Sequence, residues 1–270
     1  MKNNSQLSRT RVPFYQVDAF TQTPFAGNPA AVCLLEQWPD DATLQRIATE
    51  NNLSETAFVV ATGDEYQLRW CTPATEVDLC GHATLAAASV LFTCTDAQAL
   101  RFHTRSGLLT VTRDGETLVM NFPAVTPQAI ETPSGLLSAL GIAPQHVLGC
   151  WQASDIVVLV DDEALIDLLA PDIAALKAFN TRGVVVTAAA QAFDFRSRWF
   201  GPQVGVDEDP VTGSAHTFLA PLWAARLGKT TLTAQQGGSR KGELICDLRH
   251  DGRVALKGHA CLVIEGTLWL

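Results

Sequence analysis

At 270 residues, 47% hydrophobic and 17% charged, the chain can form one large domain or two ordinary ones around a substantial core. A formal net charge of −9, with no cluster of Lys and Arg, argues against nucleic acid and anionic membrane surfaces as partners. No apolar run approaches the roughly 18 residues of a membrane-spanning helix. The seven cysteines contain no C-x-x-C pair, so neither a zinc site nor a redox pair is expected and the thiols should be free.

Residues 1–11, MKNNSQLSRTR, lack the apolar stretch of a secretory leader, which makes a cytoplasmic setting the expectation. Phe14 to Phe20 alternates as a strand, and Thr23 to Pro29 is a turn-rich loop. Ala30 to Leu35 is a short apolar strand. Asp40 or Asp41 caps an amphipathic helix reaching Asn51, with Leu44, Ile47 and Ala48 on one face. A buried strand follows from Ala57, with Glu55 at its mouth, and Tyr66 to Trp70 is the next strand. Ala83 to Phe92 is apolar all round, the pattern of a buried helix, and it opens at Gly81-His82 after an acidic loop. Arg101 to Val111 and Thr117 to Pro123 pair as a hairpin through Arg113-Asp114-Gly115. The proline-rich stretch Pro123 to Pro133 divides the chain into lobes 1–125 and 126–270, with the last strand free to return to the first lobe.

In the second half, Ser134 to Leu140 is a short helix, and Asp162 to Phe179 is helical with a break near Pro171. Ile156 to Val160, Gly183 to Thr187 and Phe193 to Trp199 are strands. Leu244 to Leu248 and Val254 to Lys257 pair through Asp251-Gly252, and Cys261 to Leu270 closes the sheet.

Two stretches match each other. Arg69-Trp70 and Pro73 correspond to Arg198-Trp199 and Pro202, and Glu76-Val77-Asp78 to Asp207-Glu208-Asp209. Cys80-Gly81-His82-Ala83 corresponds to Thr212-Gly213-Ser214-Ala215. A duplicated lobe accounts for this, with two helix N-termini facing one cleft. The expected fold is therefore α+β: two pseudo-symmetric lobes, each a curved, mostly antiparallel, barrel-like sheet around one buried helix. Unpaired N–H groups at a helix start carry partial positive charge and can hold a carboxylate.

The residues that could carry chemistry cluster around this repeat. Glu55 faces an apolar strand, and burial moves a carboxylate toward the range of a general acid or base. His82 opens the first central helix, where it could shuttle a proton. Cys80 precedes Gly81 at a helix N-terminus, a position that can lower a thiol pKa. Asp209 could orient a base, and Ser214 could bond a substrate carboxylate. Asn28, in Gly27-Asn28-Pro29, could hold a polar group. Each also has an ordinary structural role: loop carboxylate, helix cap, inert buried thiol or turn residue. There is no G-x-S-x-G elbow and no G-x-G-x-x-G fingerprint, and Asp207-Glu208-Asp209 alone is a weak metal site.

Residues 17–32 (VDAFTQTPFAGNPAAV), 51–59 (NNLSETAFV), 71–88 (CTPATEVDLCGHATLAAA) and 205–216 (GVDEDPVTGSAH), with the closing pattern KGHACLVIEGTL, resemble the phenazine-biosynthesis PhzF-like family within the diaminopimelate-epimerase-like fold. The resemblance implies isomerisation by proton transfer without cofactor or metal, on a small carboxylate substrate, by a homodimer. It implies that Glu55 is the acid/base, that His82, Asp209 and Ser214 are polar active-site positions, and that the Gly81 and Gly213 amides hold the carboxylate. Racemases of this fold use one cysteine from each half, and here Cys80 is matched by Thr212, which disfavours a two-thiol mechanism. An epimerase or racemase of a small amino or hydroxy acid working through Cys80, and a non-catalytic binding protein of the same fold, are the alternatives.

Overall fold

The computed structural model describes residues 10–270. The leader expectation therefore falls largely on residues outside those described. The first lobe runs β1 (Arg11–Ala19), β2 (Asn28–Leu35), α1 (Asp41–Asn51), β3 (Glu55–Thr62), β4 (Glu65–Cys71), β5 (Glu76–Val77), α2 (Gly81–Phe92), β6 (Ala99–Thr104), β7 (Gly107–Asp114) and β8 (Thr117–Pro123). The rest follows as β9 (Gln128–Ile130), α3 (Leu136–Leu140), β10 (Val147–Gln152), β11 (Ile156–Val160), α4 (Ala164–Leu168), α5 (Ile173–Leu176), β12 (Val184–Ala189), β13 (Phe195–Gly201), β14 (Val206–Asp209), α6 (Gly213–Leu227), β15 (Thr231–Gln236), β16 (Gly242–Leu248), β17 (Arg253–Gly258) and β18 (Ala260–Trp269).

The expected α+β architecture is present as one curled, 18-stranded sheet. Its first half runs β18–β1–β2–β3–β4–β6–β7–β8 around α2, and its second runs β17–β16–β15–β13–β12–β11–β10–β9 around α6. The halves join where β8 pairs antiparallel with β17, Pro123 facing Arg253 and Leu118 facing Gly258. The last strand, β18, pairs antiparallel with the first, β1, Arg11 opposite Trp269. The same local plan occurs in both halves, a parallel pair (β2–β3, β11–β12) followed by an antiparallel one (β3–β4, β12–β13).

Helix α2 forms as its composition dictates. Ten of its twelve residues are buried, and the run of alanines lets strands approach from every side. Each larger side chain such as Leu85 gains about 1.5–3 kcal/mol from leaving water. α6 is buried through Phe218, Leu219, Leu222 and Trp223, and stops at Gly228, whose φ of +65° suits glycine. α1 is capped by Asp40, whose side chain accepts from the Thr43 N–H at 2.7 Å. It covers the outer face of the first lobe with Leu44, Ile47 and Ala48, while α3 to α5 cover the second. No helix among the described residues is long and apolar enough to cross a membrane.

Two expectations about elements need correction. Arg101 to Val111 is not one strand: the chain turns at Arg105-Ser106, so β6 and β7 form a hairpin of their own before β8. The polar Thr104 side chain closes that turn by donating to the Gly107 carbonyl at 2.8 Å. Asp162 to Phe179 contains only the two short helices α4 and α5, because Pro171 cannot continue a helix and Asp172 starts a new one by capping Ala175. β5, β9, β10, β14 and β15 are strands the sequence pattern does not announce.

Candidate active site

Both central helices begin in the cleft between the lobes. β4 and β5 deliver the chain to α2, and β13 and β14 deliver it to α6. Neither Cys80 nor Thr212, the residues before the helices, caps its helix with a side-chain hydrogen bond. The first N–H groups thus stay available to an anion. A Cβ built on Gly81 would sit 3.8 Å from the Gly213 Cα, and the reverse distance is also 3.8 Å, so the two helix starts touch across the pseudo-twofold.

Glu55 stands at the first position of β3, aimed into the cleft. Its Oε2 lies 3.1 Å from His82 Nε2, close enough to interact as charges. The pair is off hydrogen-bond directions, and both atoms are buried without a hydrogen-bonded partner among the described residues. Such orphaned groups are costly and mark places that await a ligand or perform chemistry. On the other edge of the imidazole, Cys80 Sγ is 3.6 Å from Nδ1. Burial alone would lower the His82 pKa, but its neighbours Cys80 and Glu55 outweigh it and hold the imidazole well above its usual value. Burial pushes the Cys80 thiol up in turn.

Asp209 joins this group from the second lobe. Its Oδ1 accepts from Asn28 Nδ2 at 2.6 Å and its Oδ2 from the Thr212 hydroxyl at 2.5 Å. It keeps a face on the cavity, yet protein surrounds the carboxyl closely enough that burial pushes its pKa up to about 6. Asn28 also donates to the Val211 carbonyl at 3.0 Å, and its own Oδ1 is buried without a partner among the described residues. Gly27 makes this placement feasible: its φ is +62°, and a Cβ there would meet the Ala19 carbonyl at 2.2 Å. Thus Glu55, Cys80, Gly81, Asp209, Gly213 and Ser214 line one cavity of about 440 Å³, with His82 buried behind Glu55 and Asn28 behind Asp209.

The acidic run of the second lobe is divided in its duties. Glu208 takes a two-pronged bond from Arg198, both contacts at 2.7 Å, just as Glu76 takes one from Arg69 at 2.7 and 2.6 Å. Glu76 therefore corresponds to Glu208 in role, not to Asp207 as the sequence match had it. A bulge between Trp199 and Gly201 and the longer loop shift the alignment by one. Ligand atoms of Glu55, Cys80 and His82 all lie within 4.8 Å of one another, spacing that could hold a metal ion.

Sequence reasoning missed the cationic wall of the cavity. Arg182 lies at the cleft, and its Nε donates to Asp155 Oδ1 at 2.7 Å with Nη2 on the other oxygen. Asp155 is fully buried and also accepts from Trp199 Nε1 at 2.9 Å. The remaining guanidinium nitrogen, Nη1, donates to the Ser214 hydroxyl at 2.9 Å. The only sequence signal was a lone arginine immediately before an apolar strand.

A two-lobed cleft with two helix N-termini, a carboxylate–imidazole pair and no nucleophile elbow defines an isomerase of the epimerase-type architecture. The comparisons give the particular family. The model for phenazine biosynthesis-like (PhzC-PhzF) proteins matches residues 17–266, and the chain belongs to that family. It is 61% identical over 258 residues to an uncharacterized isomerase of Pseudomonas aeruginosa, covering 95% of this chain and 98% of the relative. It is 41% identical over 285 residues to the human phenazine biosynthesis-like domain-containing protein, covering 96% and 99%. The crystal structure of a PhzF-family phenazine biosynthesis protein from Enterococcus faecalis matches with a TM-score of 0.93 at 44% identity, covering 97% of this chain and all of that one. A probable proline racemase from Agrobacterium radiobacter, 11% identical with a TM-score of 0.60 and covering 95% and 92%, shares the fold.

Proposed function

We propose that the protein is a cofactor-independent isomerase that relocates a proton on a small carboxylate-bearing substrate, with Glu55 as the acid/base. The observation that carries this is the Glu55 carboxyl group, 3.1 Å from the His82 imidazole, in a cavity where two helix N-termini meet. The helix starts and Ser214 bind the substrate carboxylate. Glu55 takes a proton from a carbon beside it, and the electron pair of the broken C–H bond spreads into the adjacent unsaturation. His82 and Asp209 stabilise the charge that develops, and Glu55 returns the proton to a different carbon. No oxidant or reductant is needed. The cytoplasmic setting and the homodimer belong to the same reading and rest on the family resemblance.

The test is solvent-deuterium uptake from D₂O into a panel of cyclic and acyclic carboxylates, read by mass. Uptake that disappears in Glu55→Gln and persists in Cys80→Ser supports this reading. The opposite pattern supports an epimerase working through Cys80, a second reading favoured by the Sγ–Nδ1 approach of 3.6 Å. Against it stand the raised thiol pKa and the second-lobe position held by Thr212, whose hydroxyl is committed to Asp209. A carboxylate that binds with no exchange in any variant would favour a non-catalytic binding protein.

A further inference from the structure

The duplicated strands allow Arg182 to be compared with its counterpart. Trp70 in β4 faces Ala57 in β3, and Trp199 in β13 faces Val185 in β12. Counting back from these matched pairs, Glu55 corresponds to Gly183, and Ser54 to Arg182. In the neighbouring strands, Ala31 faces Thr56 and Ile156 faces Val184, so Ala30 corresponds to Asp155. One frame thus carries Ala30, Ser54 and Trp70 in the first lobe, and Asp155, Arg182 and Trp199 in the second. The indole N–H of Trp70 is buried without a partner among the described residues, while that of Trp199 is bonded to Asp155. The second lobe has an arginine clamp where the first has none.

We propose that Arg182 is a substrate-binding residue that selects, on the wall facing Glu55, the carboxylate of a ligand with an apolar body. The inference rests on the proton-transfer reading above and names its substrate class. Three observations carry it. First, Asp155 grips two nitrogens of the guanidinium, and the Trp199 ring lies 5.6 Å from its carbon, so the group is held in one orientation. Second, arginine can only donate. Ser214 Oγ must therefore accept from Nη1, and its own hydrogen is turned elsewhere, leaving the hydroxyl as a donor beside the Gly213 end of α6. Arg182 and Ser214 thus both offer donors to the cavity, which suits an oxyanion. The Arg182 side chain keeps 36% of its surface, although Asp155 beneath it has none, so the cation is not sealed in as a mere counter-ion. Third, Leu79, Phe122, Val125 and Val204 also line the cavity, and Leu79, Val125 and Val204 are exposed at 43%, 43% and 51%. These apolar side chains come from the first lobe, the inter-lobe segment and the second lobe, and would cover the body of a ligand held at Arg182.

Calorimetric titration tests this with cyclohexanecarboxylate, its neutral primary amide and succinate, on wild type, Arg182→Met and Arg182→Lys. Wild type is expected to bind cyclohexanecarboxylate more tightly than succinate and than the amide. Arg182→Met should cut the preference for carboxylate over amide roughly ten- to a hundredfold, the loss of a charge-assisted hydrogen bond. Arg182→Lys should recover part of it. Because Arg182→Met leaves Asp155 buried without its partner, the double variant Asp155→Asn/Arg182→Met repeats the measurement with that charge removed. An unchanged carboxylate-to-amide ratio in both Met variants would overturn the role of Arg182. Equal or weaker binding of cyclohexanecarboxylate than succinate by wild type would overturn the apolar class. The titrations are repeated in Glu55→Gln, where binding persists without proton exchange. Failure of the Glu55 mechanism and failure of the Arg182 assignment are thereby read separately.

Discussion

In the first lobe the second strand of the parallel pair enters the cleft with Glu55, next to the His82 imidazole; in the second lobe the matching strand is led in by Arg182, tied to a buried aspartate. The two central helices differ in the same way. His82 sits in the first turn of α2, where Cys80 and Glu55 beside it raise its pKa well above the usual value. His216, one turn into α6, donates through Nδ1 to the Thr212 carbonyl at 2.9 Å and is otherwise enclosed, and burial lowers its pKa to about 4. Duplication supplied two identical frames, and the side chains placed on them made one wall that exchanges protons and one that holds an anion. The comparison teaches that the repeat locates the site while only the departures from the repeat describe its chemistry.

The largest effect should come from the first wall. Glu55→Gln is expected to slow deuterium exchange by about 10²–10⁴-fold, as loss of a placed general base does. Retained exchange would erase the proposed division between the walls. Next is the contrast between the buried histidines. As pH falls below the ordinary imidazole value near 6.5, an unfolded chain protonates at position 216 before the folded one does, so stability drops until the folded value of about 4 is reached. The stability margin of wild type over His216→Gln should shrink by about 3 kcal/mol across that window. His82 has the opposite sign: its stabilisation is present below pH 6.5 and is lost as pH rises through its raised folded value. Urea unfolding of His216→Gln and His82→Gln at several pH values measures this, and parallel pH profiles would refute the contrast.

A smaller effect is expected at Asp209. Its folded pKa of about 6 lies above that of a free aspartate, so its contribution is fully present below about pH 4 and declines as pH rises through 6. Asp209→Asn should gain about 2 kcal/mol relative to wild type between those values, measured the same way. The smallest effect belongs to Cys80→Ser, whose exchange rate should stay near that of wild type because the thiol is buried and neutral. A collapse of exchange there would move the chemistry from Glu55 to sulfur.

Much of this was legible in the linear chain. The all-round apolar stretch Ala83–Phe92 declared a buried helix, and the repeated Gly81 and Gly213 declared where two helices begin. Glu55, His82 and Asp209 stood out because each flanks an apolar element. Arg182 and Asp155 did not, since they stand 27 positions apart in unremarkable loops and meet only when β11 and β12 lie side by side. The offset between Asp207 and Glu208 was hidden for a related reason: a bulge changes which residue faces the arginine without leaving a mark on composition.

The return of β18 to β1 has a consequence for how the protein is made. Thr10 and Leu270 exchange backbone hydrogen bonds, both at 2.9 Å, so the strand synthesised earliest in the described chain is completed by the one synthesised last. At about 5–20 residues per second, β1 waits on the order of tens of seconds on the ribosome with one edge unpaired. An open edge is where strands of separate molecules join. The first lobe, although translated first, is the last to be finished, and a ribosome stalled before Ala260 would hold nearly all of the described chain with that edge still open.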